Sequence, residues 1–253
     1  TAGLQMYAPG PLDLALGVPF LKDAQKKAQF KFINASLKNA EGETLFEPYA
    51  IADFRGFKVA VTGISPQGKS GEWYASEPDK AVEEALATTK GKADWLIVLS
   101  HLPEPENERL AKKYPDVKIF VGCDPNVTIE NPYFMGKTKN LVLDPHAYGY
   151  RLGRFEAIVK RPFKGFFSIS ATIRANQELE AWQNLLEKNQ RVEIAKANIR
   201  RIQENKLLTS LPGGTQISNS LIWLSKKEYG KANEITQMLK RYQAKVRAEA
   251  IGK

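Results

Sequence analysis

The feature that most constrains the fold is a pair of short, almost uniformly apolar segments near the middle of the chain. Residues 95–100 read Trp-Leu-Ile-Val-Leu-Ser, and residues 117–122 read Val-Lys-Ile-Phe-Val-Gly. Strands with such continuous apolar character are typical of a sheet that is covered on both faces. A short helical pattern over residues 106–114 separates the two strands. The succession of strand, helix and strand predicts a layered α/β domain with parallel pairing.

The same alternation extends to both sides of this unit and predicts an α/β domain over residues 1–168. A short strand is predicted at residues 30–35. A β-hairpin is predicted with strands at residues 49–54 and 58–64, on either side of Arg55-Gly56. A helix is predicted at residues 77–90, with Pro78 near its start, and two further strands at residues 140–143 and 154–159.

The character of the sequence changes at about Ile173, because glycine and proline are absent from there up to Pro212. Apolar residues recur at intervals of seven at Leu185, Val192 and Ile199. A second run, after the break at Pro212, spaces its apolar residues by three and four: Ala232, Ile235, Leu239, Tyr242 and Val246. We therefore predict that residues 169–253 form a helical extension. The pattern fits an antiparallel helical hairpin and, equally, two amphipathic helices packed on the α/β domain.

The basic character of the chain is concentrated in this extension. The net charge is +9, and residues 174–253 hold 15 Lys and Arg against 8 Asp and Glu. Glutamates interleave with the basic residues, which favours a solvated helix face over a nucleic-acid surface, and no clear nucleic-acid motif is present. No stretch reaches the roughly 20 apolar residues of a membrane helix. We expect a protein partner, or self-association, through the C-terminal helices.

Polar side chains follow the predicted strands at the point where each strand ends. His101 follows residues 95–100, Cys123 and Asp124 follow residues 117–122 together with Asn126, and His146 follows residues 140–143. Ligands of open α/β sheets bind beyond the carboxyl ends of the strands. Imidazole and carboxylate groups are common metal ligands. The structural alternatives are a histidine held by packing, an aspartate that caps a turn, and a cysteine that fills the core.

An ordered set of segments resembles the calcineurin-like metallophosphoesterases of the bacterial 5′-nucleotidase type. Residues 94–102 resemble the family segment that ends in a metal-ligating histidine, here His101. Residues 147–154, Ala-Tyr-Gly-Tyr-Arg-Leu-Gly-Arg, resemble its Ser-Tyr-Gly-x-x-Leu-Gly-Arg signature, and residues 8–17 align with Gly-Asn-His-Glu-Phe-Asp-x-Gly. Together with the strands between them, these matches cover about residues 5–160.

The resemblance implies a metallophosphoesterase-like layered α/β sandwich followed by an α-helical hairpin extension. The Asp-x-His and Gly-Asp motifs that open the family domain have no counterpart in this sequence. We therefore expect a sandwich that is incomplete at its N-terminal edge and exposes one edge of a sheet. Because nucleotidases of this type are commonly exported, the resemblance also implies a periplasmic or cell-surface location.

The departures from the family pattern fall on its metal ligands. Pro11-Leu12 stands where the family has Asn-His, and Gly-Cys-Asp-Pro-Asn at 122–126 replaces Gly-His-x-His. A two-metal site needs ligands for both ions. We therefore expect no bound cofactor and interpret His101, Asp124 and Asn126 as vestigial metal positions. The alternative is a single, weakly held divalent ion, with Asp13 as a further oxygen ligand.

Three functions follow from these observations. The first is a pseudoenzyme, a non-catalytic domain that serves as a scaffold or a protein-interaction module. The second is an altered metal-dependent phosphoesterase or nucleotidase that uses His101 and Asp124. The third is a segment of a larger exported multidomain protein whose chemistry lies elsewhere.

Overall fold

The computed structural model of the chain describes residues 3–124, 129–134, 140–145, 151–206 and 214–223. Within them, the α-helices are α1 (Val18–Lys27), α2 (Pro78–Thr89), α3 (Glu104–Lys113), α4 (Ile169–Glu187) and α5 (Val192–Lys206), and a 3-10 helix covers Asp13–Leu16. The strands are β1 (Met6–Tyr7), β2 (Lys31–Phe32), β3 (Leu37–Lys38), β4 (Ala50–Phe54), β5 (Phe57–Ile64), β6 (Gly68–Ser70), β7 (Trp73–Ala75), β8 (Trp95–Ser100), β9 (Val117–Val121), β10 (Ile129–Phe134), β11 (Leu141–Asp144), β12 (Arg151–Ile158), β13 (Phe166–Phe167) and β14 (Thr215–Trp223).

A six-stranded sheet forms the centre of the molecule, with the strand order β10-β11-β9-β8-β5-β4. Its four inner strands are parallel, and the two outer strands, β10 and β4, run antiparallel to their neighbours. The predicted parallel α/β core is therefore confirmed. The predicted hairpin is also present, as β4 and β5 joined by Arg55 and Gly56. Both of these residues have a positive φ, of 56° and 86°, as a type I′ turn requires.

Helices α2 and α3 cover one face of the central sheet. Their inward side chains, which include Val82, Ala85 and Leu110, form one buried apolar cluster with residues of the strands such as Val98 and Phe120. The two helices begin with proline within the first two positions, where its missing N–H has no intrahelical partner to lose. Predicted and observed bounds of α2 differ by one residue at each end.

A second sheet, of order β12-β14-β13, covers the other face. Trp95 lies at the centre of this contact. Its ring makes edge-to-face contacts with Phe57, Phe163 and Phe166, at centroid distances of 5.2, 5.6 and 5.1 Å. Aromatic pairs in this arrangement contribute attraction beyond the apolar area they bury. The sheet-on-sheet contact explains why residues 95–100 are apolar on both faces.

Strand β14 was missed by the sequence analysis, which placed residues 215–223 in the connection between two helices. The strand pairs with all of β12, from Arg151 opposite Trp223 to Ile158 opposite Gln216. The segment from 169 onwards is therefore not helical throughout. Pairing with β12 accompanies burial, since Ile217 of this strand joins the apolar cluster around Trp95. The division of the chain at residue 168 stays a prediction.

The structure contains a helical hairpin within the first predicted helical run, whereas the predicted pairing of that run with residues 232–246 stays a prediction. The first predicted helical run divides into α4 and α5, which pack against each other. Between them, Asn189 and Arg191 adopt a positive φ, of 55° and 49°. Asparagine tolerates this left-handed conformation better than most residues, so a helix can end there without glycine or proline. The second predicted run, residues 232–246, lies outside the described residues. None of the helices that the structure describes is long and apolar enough to cross a bilayer.

An ion-pair network on the surface joins α2 to α3. The carboxylate of Asp79 accepts two hydrogen bonds from Arg109, at 3.1 and 2.6 Å, and one from Lys113 Nζ at 2.7 Å. The hydrogen bonds from Arg109, followed by those from Lys113 and Tyr114, hold the pKa of Asp79 well below its usual range. Burial of the Tyr114 ring, then its hydrogen bond to Glu83, raises the pKa of Tyr114 to about 12.

We expect Asp79→Asn to lower the free energy of unfolding at pH 7 by about 1 kcal/mol, which is the upper range for an exposed ion pair. The upper range applies because the carboxylate of Asp79 forms two hydrogen bonds with Arg109 and one with Lys113. A lowered folded-state pKa stabilises the fold above the unfolded-state value of about 3.9, and this contribution is lost as the pH falls further. Urea unfolding at pH 7, 5 and 3 should show a difference at the first two values that shrinks at the third. Asp23→Asn is the control, because Asp23 pairs with Lys26 at a highly exposed site. An equal loss in both variants would contradict this account.

Candidate functional site

The candidate site lies at the carboxyl edge of the central sheet. Because β5, β8 and β9 are parallel, the residues that follow them meet at one edge, as predicted from the sequence. His101 follows β8, and Cys123 and Asp124 follow β9. The segment 8–10 reaches the same edge, where Ala8 and Gly10 contact His101.

Both ring nitrogens of His101 are close to protein atoms. Nε2 lies 2.9 Å from the carbonyl oxygen of Ala8, and Nδ1 lies 3.5 Å from Cys123 Sγ. A carbonyl oxygen can only accept, so Nε2 carries the proton and donates it. The other ring nitrogen, Nδ1, faces the thiol of Cys123. The histidine is brought to the predicted place, but it is held there by the protein itself.

The backbone of Gly10 packs directly on the imidazole. A Cβ atom at this position would lie 2.7 Å from both Cε1 and Nδ1 of His101, a distance shorter than side-chain carbons tolerate. Glycine is therefore required for the segment 8–10 to cover the ring. This close approach fills the space above the histidine with main chain.

A buried asparagine anchors the covering segment. Asn34 is fully buried, and its Nδ2 donates to the carbonyl oxygen of Pro9 at 2.8 Å and to Ser65 Oγ at 3.1 Å. Its Oδ1 accepts from the backbone N–H of Ser36 and Leu37, at 2.9 and 3.0 Å. One amide side chain thus ties residue 9 to the strand end after β5. A fully satisfied buried polar group of this kind fixes a single arrangement of the chain.

Asp13 also has a local structural role. Its Oδ2 accepts a hydrogen bond from the backbone N–H of Gly10 at 2.7 Å. The pKa of Tyr7 is raised above its usual range, first by burial and then by a side-chain hydrogen bond with Asp13. The carboxylate thus serves the turn that carries Gly10. The neighbouring Leu12 is 89% exposed, so its side chain extends into solvent.

Asp124 lies within a buried group of acceptors and donors at the end of β9. Its Oδ2 accepts from the backbone N–H of Glu104, at the start of α3, at 3.1 Å. Its own N–H donates to Asp144 Oδ2 at 2.9 Å. A carboxylate at a helix N-terminus is stabilised by the unpaired N–H groups there. Gly122 is required beside it, because a Cβ atom at residue 122 would lie 2.6 Å from Asp144 Oδ2.

The structure thus brings His101 and Cys123 into contact and places Asp124 in the adjacent loop. Asn126 and His146 lie outside the described residues.

Burial, followed by the charges of Asp144, Asp124 and Asp13, raises the pKa of the Cys123 thiol, so the thiol holds its proton. Over the ranges that the structure describes, no three His, Cys, Asp or Glu side chains are grouped so as to hold a metal ion. The donors among these described residues do not supply the ligands that two metal ions need.

Two residues that organise this region were missed by the sequence analysis. Asp144 received no role from the sequence, although its side chain is almost fully buried and accepts a hydrogen bond from the backbone N–H of Asp124. Asn34 was read as part of a strand. A signal for Asp144 existed in its position after an apolar strand. The hydrogen bonds of Asn34 join residues 25 and 31 positions apart, so no local pattern could indicate them.

The comparisons with known proteins bear on this arrangement of sheet and strand ends. No protein-family profile matches the chain. The metallophosphoesterase YunD of Bacillus subtilis, described as uncharacterized, is 24% identical over 164 residues, which are 61% of this chain and 34% of YunD. The trifunctional nucleotide phosphoesterase YfkN of the same organism is 25% identical over 244 residues, which are 86% of this chain and 16% of YfkN. The matched part of this chain therefore spans 34% and 16% of the length of these two curated relatives.

The solved structures agree with these relatives. The crystal structure of a calcineurin-like phosphoesterase unit of YfkN superposes with a TM-score of 0.51, at 20% identity, over 60% of this chain and 57% of that one. A 5′-nucleotidase precursor from Thermus thermophilus gives 0.53 at 22% identity, over 60% and 35%. The chain has a calcineurin-like metallophosphoesterase fold. His101 lies at the end of β8, and the segment 8–10 that contacts its ring leads directly into Pro11 and Leu12.

We expect Gly10→Ala to displace the His101 ring and to destabilise the fold by about 1–3 kcal/mol, the usual cost of forcing extra atoms into a packed site. Gly68→Ala is the matched control, because a Cβ atom at residue 68 meets nothing within 4 Å. Thermal unfolding and the imidazole proton signals in NMR measure the two effects. Unchanged His101 signals in the Gly10→Ala variant would contradict the close packing described above.

Proposed function

We propose that this metallophosphoesterase-like domain is non-catalytic and acts as a scaffold or protein-interaction module. The observation that carries the proposal is the position of His101. This residue matches a metal ligand of the fold family, yet Nε2 donates to the Ala8 carbonyl oxygen and Nδ1 faces the Cys123 thiol. A histidine that ligates a metal offers one ring nitrogen to the ion and bonds the other to a supporting group. Here both nitrogens have protein neighbours.

The carboxylates near His101 support the same proposal. Asp13 accepts from the backbone of Gly10, and Asp124 accepts from the backbone of Glu104. A carboxylate that is committed to backbone donors is stabilised as an anion but has less capacity to bind an ion. The side chains that replace the family's ligands, Pro11 and Leu12, have no donor atoms for a metal. Asp13 and Asp124 therefore hold loops in place, and no catalytic step is assigned to them.

A complete framework whose polar residues at the candidate site bond neighbouring loops fits a role in binding. The central sheet, its helices and the covering second sheet are complete enough to form two apolar layers. An exported location, periplasmic or at the cell surface, is part of the proposal and rests on resemblance to nucleotidases. The C-terminal helices are a candidate surface for a partner, although Leu239 and Tyr242 of the second predicted run lie outside the described residues.

The test is elemental metal analysis of the purified protein together with His101→Ala and Asp124→Asn. We expect Mn, Zn and Fe to be far below one equivalent in all three proteins. We also expect metal-supplemented hydrolysis of p-nitrophenyl phosphate to be equally low in all three. His101→Ala should nevertheless lower the free energy of unfolding by about 1–3 kcal/mol, because it removes a hydrogen bond and a packed ring.

Asp124→Asn is the discriminating variant, because asparagine keeps the shape and an oxygen that can accept from Glu104. A stoichiometric metal in the wild type, lost from both variants along with ester hydrolysis, would overturn the proposal. That result would favour the alternative of an altered metal-dependent phosphoesterase that uses His101 and Asp124.

A further inference from the structure

We draw no further inference here: the strongest candidate, the side-chain cluster of Cys123 and His101 at the carboxyl edge of the central sheet, belongs to the candidate site already described.

Discussion

The need to cover both faces of a parallel sheet governs the rest of the structure. Side chains alternate along β8 and β9, so that Val98 and Phe120 face the helices while Trp95 and Ile119 face the second sheet. Neither face can be left open to water without exposing an apolar layer. One face is covered by the second sheet, in which β14 pairs with β12. Phe163 and Phe166 pack against Trp95 on that face. The order of the parallel strands then brings the ends of β5, β8 and β9 to one edge.

At that edge, the side chains that could take part in chemistry form hydrogen bonds with the backbone. His101, Asp13 and Asp124 each bond a backbone group of a neighbouring loop. The same types of residue could bind a metal ion if they were free and convergent, as they are in metal sites generally. What differs here is the main chain at Ala8–Gly10, which Asn34 anchors from below and which packs on the imidazole. The main chain of residues 8–10 therefore occupies the space next to the imidazole.

Much of the architecture could be predicted from local pattern. Continuous apolar runs indicated β8 and β9, Arg55-Gly56 indicated the hairpin, and the order of motifs indicated the metallophosphoesterase fold. The turn between α4 and α5 was missed because Asn189 and Arg191 end a helix without glycine or proline, and β14 was missed because its apolar character is modest and its partner lies more than fifty residues away.

The residue types at the strand ends, and the loss of the family's histidines, were determined by the sequence alone. Only the tertiary structure decided which contacts the polar residues His101, Asp124 and Asn34 make. The bonds of His101 to Ala8, of Asp124 to Glu104 and of Asn34 to Pro9 span from 20 to 93 positions of the chain. No local pattern specifies such contacts, because they arise only when the packed sheet brings distant loops together.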